Sequence, residues 1–386
     1  MKTDAKISQQ NNEAVSILKE FEHILKDRAG YLKKARKPVV AWSSVYTPEE
    51  ILYAGGLMPF RITGEDQPES SKSRAVMSGG VCPYVLSCLE EGMEGVYESL
   101  KGIVLVNTCD ARRRLYDAWR FYVKTPLVYI IDLPKMTTGD SIEYFTKEVS
   151  LFKTAIEKHF KCKIDKKSLE KSITIYNETR NMLSQLYELR KQENPPISGV
   201  ETLAVIKAAM IMERNAFNDN LHKLLRSLKN SAPNSAVKKQ RILITGSYFD
   251  QSSLIELVEK MGAVVVCEDL SNGIKYFEGN VETNEEPIRA LARYYLMKSP
   301  CARMVDSETR FKNILKLVKA YKADGVIYFS LKFCDSNLID FPYQKNQLEQ
   351  NGIRVLFLEG ERTLVNMSQL KTRIQAFLEM NGDLWK

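Results

Sequence analysis

Short apolar runs alternate with helix-length stretches twice along this chain, and that alternation restricts the fold more than any other feature. The first series is PVVAW (Pro38 to Trp42), the loop SSVYTPEE, the helix EEILYAGG, and then LMPFRI, GIVLVN and PLVYIIDLP (Pro126 to Pro134). The second begins at RILITG (Arg241 to Gly246), passes through SSLIELVEKMG and AVVVCE, and closes on VIYFSLKFCD and IRVLFLEGE. Apolar runs of roughly four to eight residues bounded by turn residues read as buried strands. Strands joined by helical crossovers pair in parallel. The expected fold is α/β: two doubly wound parallel-sheet domains, Rossmann- or flavodoxin-like, facing each other across a cleft.

The remaining segments read as helix. Residues 11–36 form an amphipathic N-terminal segment, with Val15, Ile17, Leu18, Phe21, Ile24 and Leu25 at helical spacing. Thr47 is placed to cap a helix whose first residue is Pro48. From Ser141 to about Lys229 the pattern is helical, broken by the loop ENPPISG, and the polar NSAPNSAVKKQ (Asn230 to Gln240) reads as a linker. The expected division is therefore 1–36 helical, 37–140 first α/β domain, 141–240 helical connection and linker, and 241–386 second α/β domain.

Aligned by pattern, the two α/β series look like copies. Each has a strand, a serine-containing loop, a helix, a glycine and a strand; then a loop cysteine (Cys82 in SGGVCPY, Cys301 in MKSPCARM). Each then has a strand ending in Cys-Asp, Cys109-Asp110 and Cys334-Asp335, at intervals of 27 and 33 residues. Ligands of doubly wound sheets sit outside the carboxyl ends of the strands. Four thiols brought there from two domains suggest a metal or cluster site. Zinc usually shows local C-x₂₋₄-C pairs, which are missing, and His23, His159 and His222 lie in helical stretches away from these loops. An iron–sulfur cluster held from both domains fits the dispersed thiols better. Cys267, in GAVVVCEDL, reads as strand interior, and the two aspartates read as caps of the helices that follow them.

No dinucleotide fingerprint or Walker A loop occurs, and no histidine neighbours a candidate nucleophile. The net charge of +8 is interleaved with acids rather than gathered into a stripe, which argues against a nucleic-acid partner. The basic clusters YLKKARK and ARRRL (Arg112 to Arg114) read as solvated helix surface or as sites for an anionic ligand. Seven widely spaced cysteines and no signal peptide exclude a disulfide framework. No apolar run reaches the roughly 18 residues of a membrane span, so the expectation is a cytoplasmic protein with no membrane partner.

The stretches SSVYTPEEILYAGGLMPFRI, GGVCPY, LVNTCDARRRLYD, GVIYFSLKFCD and IRVLFLEGE resemble the 2-hydroxyacyl-CoA dehydratase and benzoyl-CoA reductase subunit family, over roughly residues 38–380. The resemblance implies a [4Fe–4S] cluster between the two α/β domains, with Cys82, Cys109 and Cys334 as its ligands. It implies a homologous second subunit forming a heterodimer, an ATP-dependent iron–sulfur activator protein, and an acyl-CoA thioester as substrate. The chemistry implied is one-electron reduction of the thioester to a ketyl radical anion, which expels the neighbouring hydroxyl. Under that reading Ser43 or Ser44 hydrogen-bonds the thioester oxygen and Glu65 transfers a proton.

Cys301 departs from the three-ligand pattern, because the internal repeat pairs it with Cys82. With Cys88 it would shift the chain toward a related branch that binds an [8Fe–9S] double cubane, whose expected six cysteines exceed the five available here. Three readings follow: a dehydratase or aryl-CoA reductase subunit, a homodimeric double-cubane reductase of small molecules, and a non-catalytic electron-relay subunit.

Overall fold

The computed structural model describes residues 2–64, 71–229, 239–361 and 367–382. Among them are two four-stranded sheets, every pairing of which is parallel. The first contains β1 (Val39–Trp42), β2 (Met58–Arg61), β3 (Gly102–Asn107) and β4 (Val128–Asp132), in the order β2-β1-β3-β4. The second contains β5 (Arg241–Gly246), β6 (Val264–Asp269), β7 (Gly325–Leu331) and β8 (Val355–Gly360), in the order β6-β5-β7-β8. The two orders are the same permutation, so the repeated sequence pattern corresponds to a repeated topology. In each sheet the strand order reverses between the two central strands, β1 and β3 or β5 and β7, the switch point at whose carboxyl ends doubly wound sheets form a crevice.

The N-terminal segment differs in detail from the sequence expectation. Helix α1 (Lys2–Lys26) begins earlier, and the chain restarts at Asp27, whose carboxylate accepts the Gly30 N–H at 2.9 Å and opens α2 (Arg28–Lys33). Ile17, Leu18 and Phe21 are buried, but Val15 points outward. Helix α3 (Glu49–Ala54) starts one residue later than expected: Pro48 is the cap residue, and the buried Thr47 hydroxyl makes no hydrogen bond. Helices α4 (Ser71–Val76) and α5 (Pro83–Met93) lead into β3, and α6 (Asp110–Tyr122) leads into β4.

Between the sheets run α7 (Gly139–Phe160), α8 (Lys166–Leu189), α9 (Gly199–Ile211) and α10 (Arg214–Lys229). Helix α9, GVETLAVIKAAMI, is apolar nearly all round, the signature of a helix enclosed on every side. It is started by a reciprocal Ser198–Glu201 capping box and packs against α1 and against both β2 and β6. The second series supplies α11 (Ser253–Lys260), α12 (Ile274–Phe277), α13 (Pro287–Met297), α14 (Ser307–Tyr321), α15 (Asp335–Gln350) and α16 (Met367–Gly382), of which α13 packs on α7 and joins the core of the first sheet. No helix among the described residues is long and apolar enough to cross a membrane. Residues 230–238 of the expected linker, and Glu65, lie outside the described residues.

Buried ion pairs tie these layers together. Glu50 at the start of α3 meets Arg180 of α8 and accepts a hydrogen bond from the Tyr295 hydroxyl of α13 at 2.8 Å. Arg190 at the end of α8 grips Glu268 of β6 through two nitrogens, at 2.7 and 2.6 Å, and the Tyr187 hydroxyl adds a third bond at 2.7 Å. Charges removed from water this completely need full pairing, since a lone buried charge costs several kcal/mol. The bidentate Arg–Glu geometry supplies it.

Candidate functional site

Three helices begin at the carboxyl edges of the sheets with a cysteine in the cap position: Cys82 before α5, Cys109 before α6 and Cys334 before α15. The aspartates expected to cap are instead the first helical residues. In that first turn a carboxylate is favoured by the helix dipole rather than by a cap hydrogen bond. None of the three cysteine side chains caps its own helix.

Local contacts fix each one. The Tyr84 hydroxyl, in the first turn of α5, donates to the Ile62 carbonyl at 2.9 Å and so seats Cys82 against the end of β2. Asn337, three residues beyond Cys334, donates from Nδ2 to its Sγ at 3.1 Å. Just before it, Phe333 takes a left-handed φ of 58°. A side chain bearing a Cβ adopts that conformation at a cost of about 1–2 kcal/mol, so the surrounding packing is holding this turn in place.

Cys301 arrives from the loop between α13 and α14. Its N–H donates to the Tyr46 hydroxyl at 3.1 Å, linking the second sheet's loop to the loop that follows β1. Arg310 Nη1 donates to the Cys301 carbonyl at 3.1 Å and the Met304 carbonyl at 2.7 Å, while Asp340 holds the same guanidinium at 2.9 and 2.7 Å. Cys82, Cys301 and Cys334 are buried and Cys109 is partly exposed.

One cation unites these thiols. Arg303 Nη2 lies 3.7 Å from Cys334 Sγ, and the guanidinium also interacts with Cys109, Cys301 and Cys82. Burial opposes its charge, yet the four sulfurs hold it firmly protonated. Its Nε is buried without a hydrogen-bond partner. Lys135, after β4, donates to the carbonyls of Asn107 and Thr108 and stands near both Cys109 and Cys301.

The thiols respond accordingly. Hydrogen bonding from the Cys82 thiol pulls Cys334 well below the usual thiol pKa, against burial and with help from Arg303; the same bond and burial push Cys82 up. Burial is the largest single influence on Cys109 and Cys301 and works against their thiolates, but Arg303 together with Arg112 at Cys109, and together with Tyr46 at Cys301, brings both below the usual thiol value. Deprotonated thiols beside a cation are the form that binds metal. Among the described residues, no three His, Cys, Asp or Glu groups converge on a single ion position.

The other expected residues sort differently. Ser43 is buried, and both its Oγ and its carbonyl accept hydrogen bonds from Arg112 Nη1 at 2.6 Å. Ser44 is buried in the same loop, its Oγ accepting the Tyr46 N–H at 3.4 Å. Arg112 is thus no surface residue; its guanidinium stacks over the Tyr84 ring, whereas Arg113 and Arg114 are exposed. Cys88 lies inside α5, fully buried in the core, and Cys267 is strand interior as read from the sequence. Arg303, Lys135, Tyr46, Arg310 and Asn337 were not picked out by sequence reasoning. Arg303 left one trace, its place two residues from a loop cysteine; the others carry no local signal.

A family profile described as "2-hydroxyglutaryl-CoA dehydratase, D-component" matches residues 44–381, nearly the whole chain. The protein belongs to this family. It is 26% identical to the (R)-phenyllactyl-CoA dehydratase beta subunit of Clostridium sporogenes, over 93% of this chain and 97% of that protein. It is 25% identical to the beta subunit of lactoyl-CoA dehydratase from Anaerotignum propionicum, over 92% and 97%. A benzoyl-CoA reductase subunit of Thauera aromatica is 25% identical over 89% and 90%. Such end-to-end coverage matches this dehydratase-family protein to whole subunits, both sheets included.

Proposed function

We propose that this protein is the beta-type iron–sulfur subunit of a 2-hydroxyacyl-CoA dehydratase, a lyase, with an aryl-CoA reductase as the oxidoreductase counterpart in the same family. The observation that carries the proposal is the convergence of Cys82, Cys109 and Cys334 from two sheets upon one guanidinium. These three thiols would hold a [4Fe–4S] cluster. The donor set suits it in chemistry: all are sulfurs, and Arg303 and Lys135 offset the negative charge such a group brings. When bound, the cluster supplies low-potential single electrons, the chemistry that loss of water from a 2-hydroxyacyl-CoA thioester requires.

The chain's own residues supply placement and exclusion. Tyr84 and Asn337 orient two ligands, and Tyr46 closes the gap between the two sheets' loops. Ser43 and Ser44 retain hydroxyl protons in the crevice and are proposed as hydrogen-bond donors there; Glu65 is proposed for proton transfer. The proposed division keeps 37–140 and 241–386 as the two domains flanking the site, with 1–36 and 141–240 as the helical segments beside them. The relatives named as beta subunits support a heterodimer with a homologous chain, and we propose an ATP-dependent iron–sulfur activator as the electron source.

Iron and acid-labile sulfide measured on anaerobically purified protein test this reading. The expected content is about four irons and four sulfides per chain. A content of about eight irons would replace it with the double-cubane alternative, and iron-free protein would overturn it.

A further inference from the structure

We infer that Tyr328 and Asn337 form a two-step hydrogen-bond chain that fixes the direction of the Asn337 amide and thereby raises the reduction potential of the cluster proposed at Cys334. The inference rests on the cluster reading above and deepens it by naming residues that tune the site. The Tyr328 hydroxyl donates to Asn337 Oδ1 at 3.2 Å, and Asn337 Nδ2 donates to Cys334 Sγ at 3.1 Å. All three side chains are buried, so water competes little for these bonds.

The direction of each bond follows from its chemistry. A cysteine sulfur that ligates iron carries no proton and can only accept, so the amide must present its NH₂ group to Cys334. The amide oxygen then faces away and, being buried, needs a donor. Tyr328 on β7 is that donor, and its ring is flanked by Phe341 at a centroid distance of 5.0 Å and by Phe357 at 6.4 Å. Asn337 and Phe341 lie one turn apart on α15, so one face of the helix carries both the amide and a ring that steadies its partner. The same position after the other two cap cysteines is used differently. Val85, three residues after Cys82, has no side-chain donor, and Arg112, three residues after Cys109, is bound to Ser43. A donor aimed at a ligand sulfur stabilises the additional negative charge of the reduced state, which raises the potential.

The test uses the full-length chain, purified anaerobically, and measures the midpoint potential by a redox titration followed by electron paramagnetic resonance, without any turnover. Tyr328→Phe keeps the ring and removes only the donor. Asn337→Leu removes the amide at similar volume, and Asn337→Gln keeps a carboxamide that can reach back toward the cap residue. The expected result for Asn337→Leu is a reduction equilibrium weakened about tenfold, a potential more negative by about 59 mV for one electron. Tyr328→Phe should show a smaller shift of the same sign, and Asn337→Gln should recover part of the loss. Potentials that stay at the wild-type value in Tyr328→Phe and Asn337→Leu, at equal iron content, overturn the inference and leave the cluster reading intact, even where thermal stability falls. Wild-type protein that binds no iron removes the cluster reading, and this inference with it. Where Asn337→Leu fails to fold or to hold iron, Tyr328→Phe decides the matter, since it leaves every proposed ligand in place.

Discussion

Arg310 donates from one nitrogen to the carbonyl of Cys301 at 3.1 Å while its other nitrogens rest on Asp340. The side chain is buried and multiply bonded, so the loop from Cys301 to Met304 hangs on one guanidinium. Replacing Arg310 with Met leaves the Asp340 carboxylate buried without its partner. Removal of one member of such a pair typically costs about 3–5 kcal/mol. Chemical denaturation of Arg310→Met should show a loss of that order, and Asp340→Asn a smaller one.

Arg303 should tune the bound group rather than the fold. A unit charge about 4 Å away contributes on the order of 4 kcal/mol at an effective dielectric of about 20. For one electron that is roughly 170 mV. Arg303→Gln should therefore shift the midpoint potential of the proposed cluster to more negative values by that order, with Arg303→Lys restoring part of it. A spectroscopically monitored redox titration measures the shift, and an unchanged potential would place Arg303 outside the site's electrostatics.

Two buried groups near Tyr276 predict a pH dependence of stability. Burial, partly offset by Arg214, raises the Glu49 carboxyl from 4.5 to about 7. The folded state then holds a proton that the unfolded chain releases, so stability falls as pH rises from about 4.5 to 7, by on the order of 3 kcal/mol. Burial lowers Lys298 from 10.5 to about 7, against the pull of Glu278. Here the unfolded chain holds the extra proton, and this contribution to stability recovers as pH rises from about 7 toward 10.5. Urea midpoints across this range should flatten below neutrality in Glu49→Gln and above it in Lys298→Met.

Gly246 ends β5 with a φ of +124°, and a Cβ built there would overlap the Phe329 carbonyl oxygen. That oxygen also accepts the Ser247 N–H at 2.9 Å, so the backbone cannot step aside without losing the register between β5 and β7. Gly246→Ala should destabilise the protein by more than about 2 kcal/mol, visible as a lowered thermal midpoint.

The strands were legible because burial on both faces writes itself locally as unbroken apolar runs, as in GIVLVN and VIYFSLKF. Their repetition revealed the duplicated topology, and the Cys-Asp pairs marked the two strand ends that meet. Helix starts were less legible. Thr47 has the composition of a cap, but the chain's path leaves its hydroxyl buried and assigns the turn to Pro48. ARRRL looks like a uniform basic surface, although the helical period turns Arg112 inward onto Ser43 and leaves its two neighbours in water.

The amino-acid sequence alone determined that two parallel α/β units would place cysteines at equivalent strand ends, since strand burial and crossover length are properties of short segments. The tertiary structure alone decided what those cysteines face. Tyr46, Lys135 and Arg303 come from three loops far apart along the chain, yet Tyr46 meets Cys301, Lys135 stands near Cys109 and Cys301, and Arg303 interacts with all four thiols. Electrostatic interaction depends on distance through space, so no spacing along the chain could have announced it.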